Sequence, residues 1–159
     1  MENLKIEIQI QKYRFKELDE ETRNLIEAAK DATNLSYAPY SRFNVGAAVL
    51  LGDGTVINGS NQENAASPSG TCAERTAIFY ANSKYPKTGV SAIAIAAKDS
   101  KGFTAKPITP CGSCRQVLLE TEMRFNKEIT FYLYGEEYIY KIEGTRNLLP
   151  LSFGNEFLI

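Results

Sequence analysis

All three cysteines of the chain stand in two short segments, Thr71-Cys72-Ala73-Glu74-Arg75 and Pro110-Cys111-Gly112-Ser113-Cys114-Arg115-Gln116, and the sequence has no histidine. A soft-ligand metal site would therefore draw on Cys72, Cys111 and Cys114. Zinc sites that brace a fold fill all four ligand positions from the protein, whereas catalytic sites supply three and leave one for water. Three sulfurs with nothing obvious to complete the set read as an open site for one Zn2+ per chain. Glu74, close behind the first sulfur, is placed to serve that water.

Each fragment has a plainer reading. Cys111-x-x-Cys114 alone suits a redox dithiol as well as a metal. Thr71-x-x-Glu74 alone is a capping box, with Glu74 closing a helix start. Scattered cysteines are small core residues, and Glu74 as a fourth ligand would make a zinc-braced binding module without catalysis. The joint pattern, Cys-Ala-Glu followed by Pro-Cys-x-x-Cys, favours the metal site over each of these.

The elements that must position the sulfurs follow from local pattern. Thr71 is a good N-cap, and Ala73 to Ala81 has helical character. Pro110 precedes a second helical run from Cys111 to Thr121. Thiols at helix N-termini ionise more readily. A zinc ion with three thiolates carries a net negative charge, which Arg75 and Arg115, each adjacent to a motif residue, are placed to offset.

Elsewhere, Leu4, Ile6, Ile8 and Ile10 alternate with polar residues, which predicts a half-exposed edge strand over residues 4–11. A helix is expected from about Asp19 to Thr33, with Leu25, Ile26, Ala29 and Ala32 on its apolar face. An aromatic loop from Tyr37 to Asn44 then enters an apolar strand, Val45 to Leu51. Gly52-Asp53-Gly54-Thr55 turns that strand back through Val56 to Ser60. Asn61 and Glu63 leave its end; in a pocket, an amide and a carboxylate so spaced suit paired hydroxyls, although alone they are ordinary turn residues. Val90 to Ala97 reads as a central strand, and residues 98–109 as polar with little regular structure before the second cysteine helix. Two aromatic strands follow, Ile129 to Tyr134 and Tyr138 to Ile142. This order implies an α/β protein with one mixed sheet and helices on its faces.

Composition bounds the rest. The 159 residues suit one domain, 1–159, with residues 1–15 as an N-terminal extension. With 18 basic and 19 acidic residues the net charge is −1, which argues against a nucleic-acid partner. No long apolar run argues for a membrane span, and an odd number of cysteines without an export signal fits a reducing cytoplasm.

Taken together, Tyr40-Ser41-Arg42-Phe43-Asn44-Val45-Gly46-Ala47-Ala48, Asn61-Gln62-Glu63-Asn64-Ala65, Cys72-Ala73-Glu74-Arg75-Thr76-Ala77, Pro110-Cys111-Gly112-Ser113-Cys114-Arg115-Gln116 and Leu148-Leu149-Pro150 resemble the small three-cysteine cytidine deaminases. The resemblance runs from about residue 20 to about 155, and the two cysteine segments carry the zinc-deaminase signature. It implies a three-layer α/β/α sandwich around a sheet of about five strands. It implies hydrolysis of cytidine and deoxycytidine to uridine and deoxyuridine, and a homotetramer with shared active sites. Carried over by position, Cys72, Cys111 and Cys114 hold zinc and Glu74 shuttles protons. Asn61 and Glu63 bind ribose hydroxyls, Phe43 stacks on the pyrimidine, and the Ala73 backbone meets the base edge. Phe153 reaches a neighbouring subunit's pocket, and Arg75 tunes the charge at the metal. Ser67 stands before Pro68 where many members carry an aromatic residue.

Overall fold

Asp19 starts the first helix, its carboxylate accepting the Thr22 N–H at 2.7 Å, and two acidic residues follow in the first turn, where they suit the positive helix end. This helix, α1 (Glu20–Ala32), buries Leu25, Ile26, Ala29 and Ala32, the face expected from their spacing. The computed structural model describes residues 1–158; Ile159, the last residue of the expected domain, lies outside the described residues. The remaining elements are β1 (Gln11–Tyr13), β2 (Asn44–Leu51), β3 (Val56–Ser60), α2 (Ala73–Lys84), β4 (Val90–Asp99), β5 (Gly102–Phe103), α3 (Gly112–Phe125), β6 (Thr130–Tyr134) and β7 (Ile139–Glu143).

The strands form one seven-stranded sheet in the order β1-β7-β6-β4-β2-β3, with β5 paired to the end of β4. The β4–β6 pair is parallel and every other pair is antiparallel, so the sheet is mixed. The crossover that parallel pairing demands carries α3. Strand periodicity then sorts side chains between two layers. Val49, Leu51, Ile93, Ile95, Phe131 and Leu133 face α2 and α3, while Ala48, Ala92, Ala94 and Ala96 face α1. The alanine-rich face lets α1 lie close. A Cβ at Gly46 would meet the Ala29 carbonyl oxygen at 2.1 Å.

The same device seats α2. A Cβ at Gly59 on β3 would fall 2.5 Å from the Ala73 carbonyl oxygen and 2.6 Å from the Ala77 nitrogen. The start of α2 therefore rests directly on the β3 backbone, which fixes where Cys72 and Glu74 emerge. That start lies at the carboxyl ends of β3 and β4, beside Val45 and its partner Ala97. Crevices at the carboxyl ends of strands are where open α/β sheets take their ligands.

Two expectations need correction. Beyond the five long strands and the expected N-terminal one, β1, the sheet has a two-residue strand, β5, which falls within the stretch expected to have little regular structure. The N-terminal edge strand is also displaced: its ladder covers only Gln11–Tyr13 and residues 4–10 pair with no strand. The reason lies in the partner. Gln11 pairs with Lys141, β7 ends at Glu143, and Gly144, with φ of 74°, turns the chain away. In that register Gln9 would fall opposite Glu143, the last residue of β7, so upstream of Gln9 the arm has no strand beside it. Gln9 N–H itself donates to the Asn147 side chain at 3.3 Å.

Candidate metal centre and active site

Both cysteine helices begin on a cysteine. Cys72 (φ −78°, ψ 155°) occupies the N-cap of α2 and Cys111 (φ −67°, ψ 167°) the N-cap of α3, both extended and neither making a side-chain cap bond. The expected cap, Thr71, sits one residue too early. Its backbone N–H and C=O pair with Gln62, each at 2.9 Å, so no capping box forms with Glu74. The helix-start backbone instead aims both thiols into one spot, joined by Cys114 from the first turn of α3.

The Sγ atoms of Cys72 and Cys111 are 3.9 Å apart, those of Cys111 and Cys114 3.5 Å, and all three lie within 4.8 Å of one another. All are free thiols. The electrostatics of so tight a cluster are strained without a cation. Hydrogen bonds from the Cys114 thiol and Arg75 bring Cys72 down to about 5, while the Cys72 sulfur and burial push Cys114 upward. Arg75 Nη2 donates to Cys72 Sγ at 3.6 Å, and its buried Nε finds no acceptor among the described residues.

Glu74 is 4% exposed, and burial raises its carboxyl above the usual range. It faces a cleft of about 660 Å³ lined also by Cys72, Arg75, Cys111, Asn61 and Glu63. Asn61 is held on three sides: Oδ1 accepts from Val45 N–H at 2.8 Å and the Ser36 hydroxyl at 2.5 Å, and Nδ2 donates to the Phe43 carbonyl at 3.0 Å. Glu63 Oε2 accepts from the backbone N–H groups of Tyr40 and Ser41 at 2.9 and 3.2 Å, and the Ser41 hydrogen bonds hold its carboxyl below the usual range. Asn61 keeps one Nδ2 hydrogen and Glu63 its Oε1 without a hydrogen-bond partner among the described residues.

The other expected site residues lie apart from this wall. Phe43 is half-buried and Ala73 fully buried, and neither lines the cleft. Phe153 is exposed, stacks on Phe157 with ring centres 5.6 Å apart, and also lies outside it. Arg115 does not approach the sulfurs with its guanidinium. It donates instead to the Pro110 carbonyl (2.8 Å), the Leu148 carbonyl (2.6 Å) and the Thr109 hydroxyl (3.2 Å), tying the loop before α3 to the C-terminal segment. Sequence reasoning also missed Ile108 and Thr109 as cleft walls and the Tyr40 and Ser41 N–H groups as the grip on Glu63. Only the flanking prolines, Pro107 and Pro110, marked the first pair, and no side-chain pattern announces the second.

Residues 19–130 match the family model of the cytidine and deoxycytidylate deaminase zinc-binding region. The chain belongs to that family. It is 39% identical over 138 residues to a cytidine deaminase of Sporosarcina psychrophila, covering 87% of this chain and 95% of that one. It is 50% identical over 96 residues to a cytidine deaminase of Halalkalibacterium halodurans, which spans 60% of this chain and 68% of the relative. The crystal structure of a cytidine deaminase from Burkholderia pseudomallei superposes with a TM-score of 0.71 at 40% identity, covering 82% of this chain and 97% of that one.

The deaminase fits its metal on its own geometry. Tetrahedral zinc with Zn–S bonds of about 2.3 Å sets its sulfurs about 3.8 Å apart. The two measured Sγ separations, 3.9 and 3.5 Å, bracket that value. A divalent ion also resolves the charge conflict, since it lets all three sulfurs be thiolates at once. Three sulfur ligands would leave one zinc position for water, and Glu74 lines the same cleft as Cys72 and Cys111. The capping-box and core-cysteine readings of these residues are thereby set aside.

Proposed function

We propose that the enzyme hydrolyses cytidine and deoxycytidine to uridine and deoxyuridine, releasing ammonia, with one zinc ion per chain. The observation that carries this reading is the meeting of three free thiols and a buried carboxyl at one nucleoside-sized cleft, which Cys72, Cys111 and Glu74 line and behind which Cys114 is buried. Zinc bound by Cys72, Cys111 and Cys114 supplies acidified water as a nucleophile at neutral pH and polarises the reacting centre.

The remaining work falls to side chains. Glu74, kept out of bulk water, takes one proton from the attacking water and passes it to the pyrimidine N3. It then takes the second from the hydroxyl added at C4 and passes it to the amine, which leaves as ammonia as the C4–N bond breaks and the C4 carbonyl forms. The burial that raises its carboxyl matches it to both taking and giving that proton. Arg75 donates to the Cys72 sulfur and so withdraws charge from the thiolate cluster. Asn61 offers its remaining Nδ2 hydrogen and Glu63 its free Oε1, an arrangement suited to one sugar hydroxyl that accepts from the first and donates to the second.

Phe43, Ala73 and Phe153 belong to the same reading as base-stacking, base-edge and neighbouring-subunit contacts. The exposed ring of Phe153 supports a homotetramer in which each cleft is completed by another chain. No described helix is long and apolar enough to cross a membrane, and three free thiols suit a reducing, cytoplasmic setting. The test is an ultraviolet assay on free cytidine. The zinc-loaded protein should consume cytidine with release of ammonia, and a chelator should stop turnover. Absence of ammonia from cytidine with zinc bound would overturn the reading.

A further inference from the structure

Residues 4–10 carry strand periodicity and pair with no strand. Leu4, Ile6, Ile8 and Ile10 are 84, 45, 49 and 50% exposed, so this stripe is not the buried face of any sheet in the chain. The two charges between them, Lys5 and Glu7, are solvent-exposed and meet only each other, at 2.6 Å. The arm continues directly into β1, which the β7 ladder and the Gln9–Asn147 hydrogen bond fix to the edge of the sheet. An alternating apolar strand at a sheet edge is a pairing template.

We propose that residues 4–8 dock against the same segment of a second copy of this chain, as an antiparallel ribbon centred on Ile6, with Gln9 and Ile10 falling opposite Asn3 and Glu2. The side chains select both the partner and the register. Keeping the apolar stripe on one face requires residues of the same parity opposite each other. Centring on Lys5 sets Lys5 against Lys5, and centring on Glu7 sets Glu7 against Glu7, both destabilising. Centring on Ile8 drops Leu4 opposite Lys12 and leaves both charges facing glutamines. Centring on Ile6 alone sets Lys5 opposite Glu7 twice, Leu4 opposite Ile8 twice and Ile6 opposite itself.

Such a pairing is isologous, as a two-fold dimer requires. A free two-stranded ribbon is marginal in water, but here each strand runs on into β1 and so extends an existing sheet. The arm lies outside residues 19–130, so this inference stands apart from the deaminase chemistry.

Disulfide trapping in the full-length, zinc-loaded protein tests it. Under mild oxidation Ile6→Cys should run as a covalent dimer on a non-reducing denaturing gel, and the unaltered chain should not. Lys5→Cys coexpressed with Glu7→Cys should cross-link to each other far more than either does to itself. Adding Glu7→Lys to the Ile6→Cys chain should abolish the dimer band, and adding Lys5→Glu as well should restore it. A monomeric Ile6→Cys chain, or cross-linking indifferent to position and charge, would overturn the proposal.

Discussion

The starts of α2 and α3 follow one plan: a cysteine at the N-cap, extended backbone, no side-chain cap, and an arginine in the first turn. Their arginines part company. Arg75 turns to the Cys72 sulfur, whereas Arg115 turns away from the sulfurs and clamps two carbonyls and a hydroxyl. The start of α2 rests on glycine backbone and presents a buried acid to the cleft; that of α3 presents only sulfur and needs a clamp to hold its loop. The lesson is a difference in what each start brings to the cluster: α3 brings two of the three thiols, and α2 brings the third together with a buried carboxyl. Helix α1 completes the contrast. Its N-cap, Asp19, accepts a backbone N–H, whereas the other two helices carry a cysteine that makes no cap bond at that position.

The contrast breaks most completely if the sulfurs are separable. Cys114→Ser should lose zinc and with it all detectable turnover, read by elemental analysis and by the cytidine assay. Full zinc occupancy in that variant would show that α3 is not the metal's principal support. Glu74→Gln should separate the two helices cleanly: about one zinc per chain is retained, while kcat falls by about 10²–10⁴-fold. Loss of zinc there would make Glu74 a ligand rather than the proton carrier.

The two arginines should fail differently. Arg75→Ala should weaken zinc binding by about 10–100-fold in chelator competition, with little change in thermal midpoint. Arg115→Ala should keep its zinc affinity and lose about 1–3 kcal/mol of stability in urea unfolding, because its carbonyl partners lose their donors. Matching phenotypes would erase the distinction. The smallest effect belongs to α1, where Asp19→Ala should cost about 1 kcal/mol and leave kcat unchanged. The Thr22 N–H holds the Asp19 carboxyl below its usual value, so its stabilisation is present at neutral pH. That contribution should fade as pH falls below about 3.9 and through the lower folded value, making acid unfolding of Asp19→Ala less pH-sensitive than that of the parent.

Much of the fold was legible because local periodicity reports burial. The stripe Leu25, Ile26, Ala29 and Ala32 named the buried face of α1, and Gly52 to Thr55 named the hairpin between β2 and β3. The same signal misled at the N-terminus. Alternation shows that residues 4–10 suit a strand, but pairing depends on where a partner ends, and β7 ends at Glu143. The capping signal at Thr71 misled for a related reason, since a long-range bridge to Gln62 takes the backbone groups that a cap would use.

The sequence by itself narrowed the soft-ligand candidates to one set, because the chain has three cysteines and no histidine. It also determined the α/β order, because side-chain period fixes which face each segment can bury. Only the tertiary structure decided that the sulfurs converge within 4.8 Å and that Glu74 is shut away from water. It alone decided which arginine reaches a sulfur. Those outcomes depend on contacts between segments far apart in the chain, such as α2 lying on Gly59 and Arg115 reaching Leu148, which local pattern does not encode.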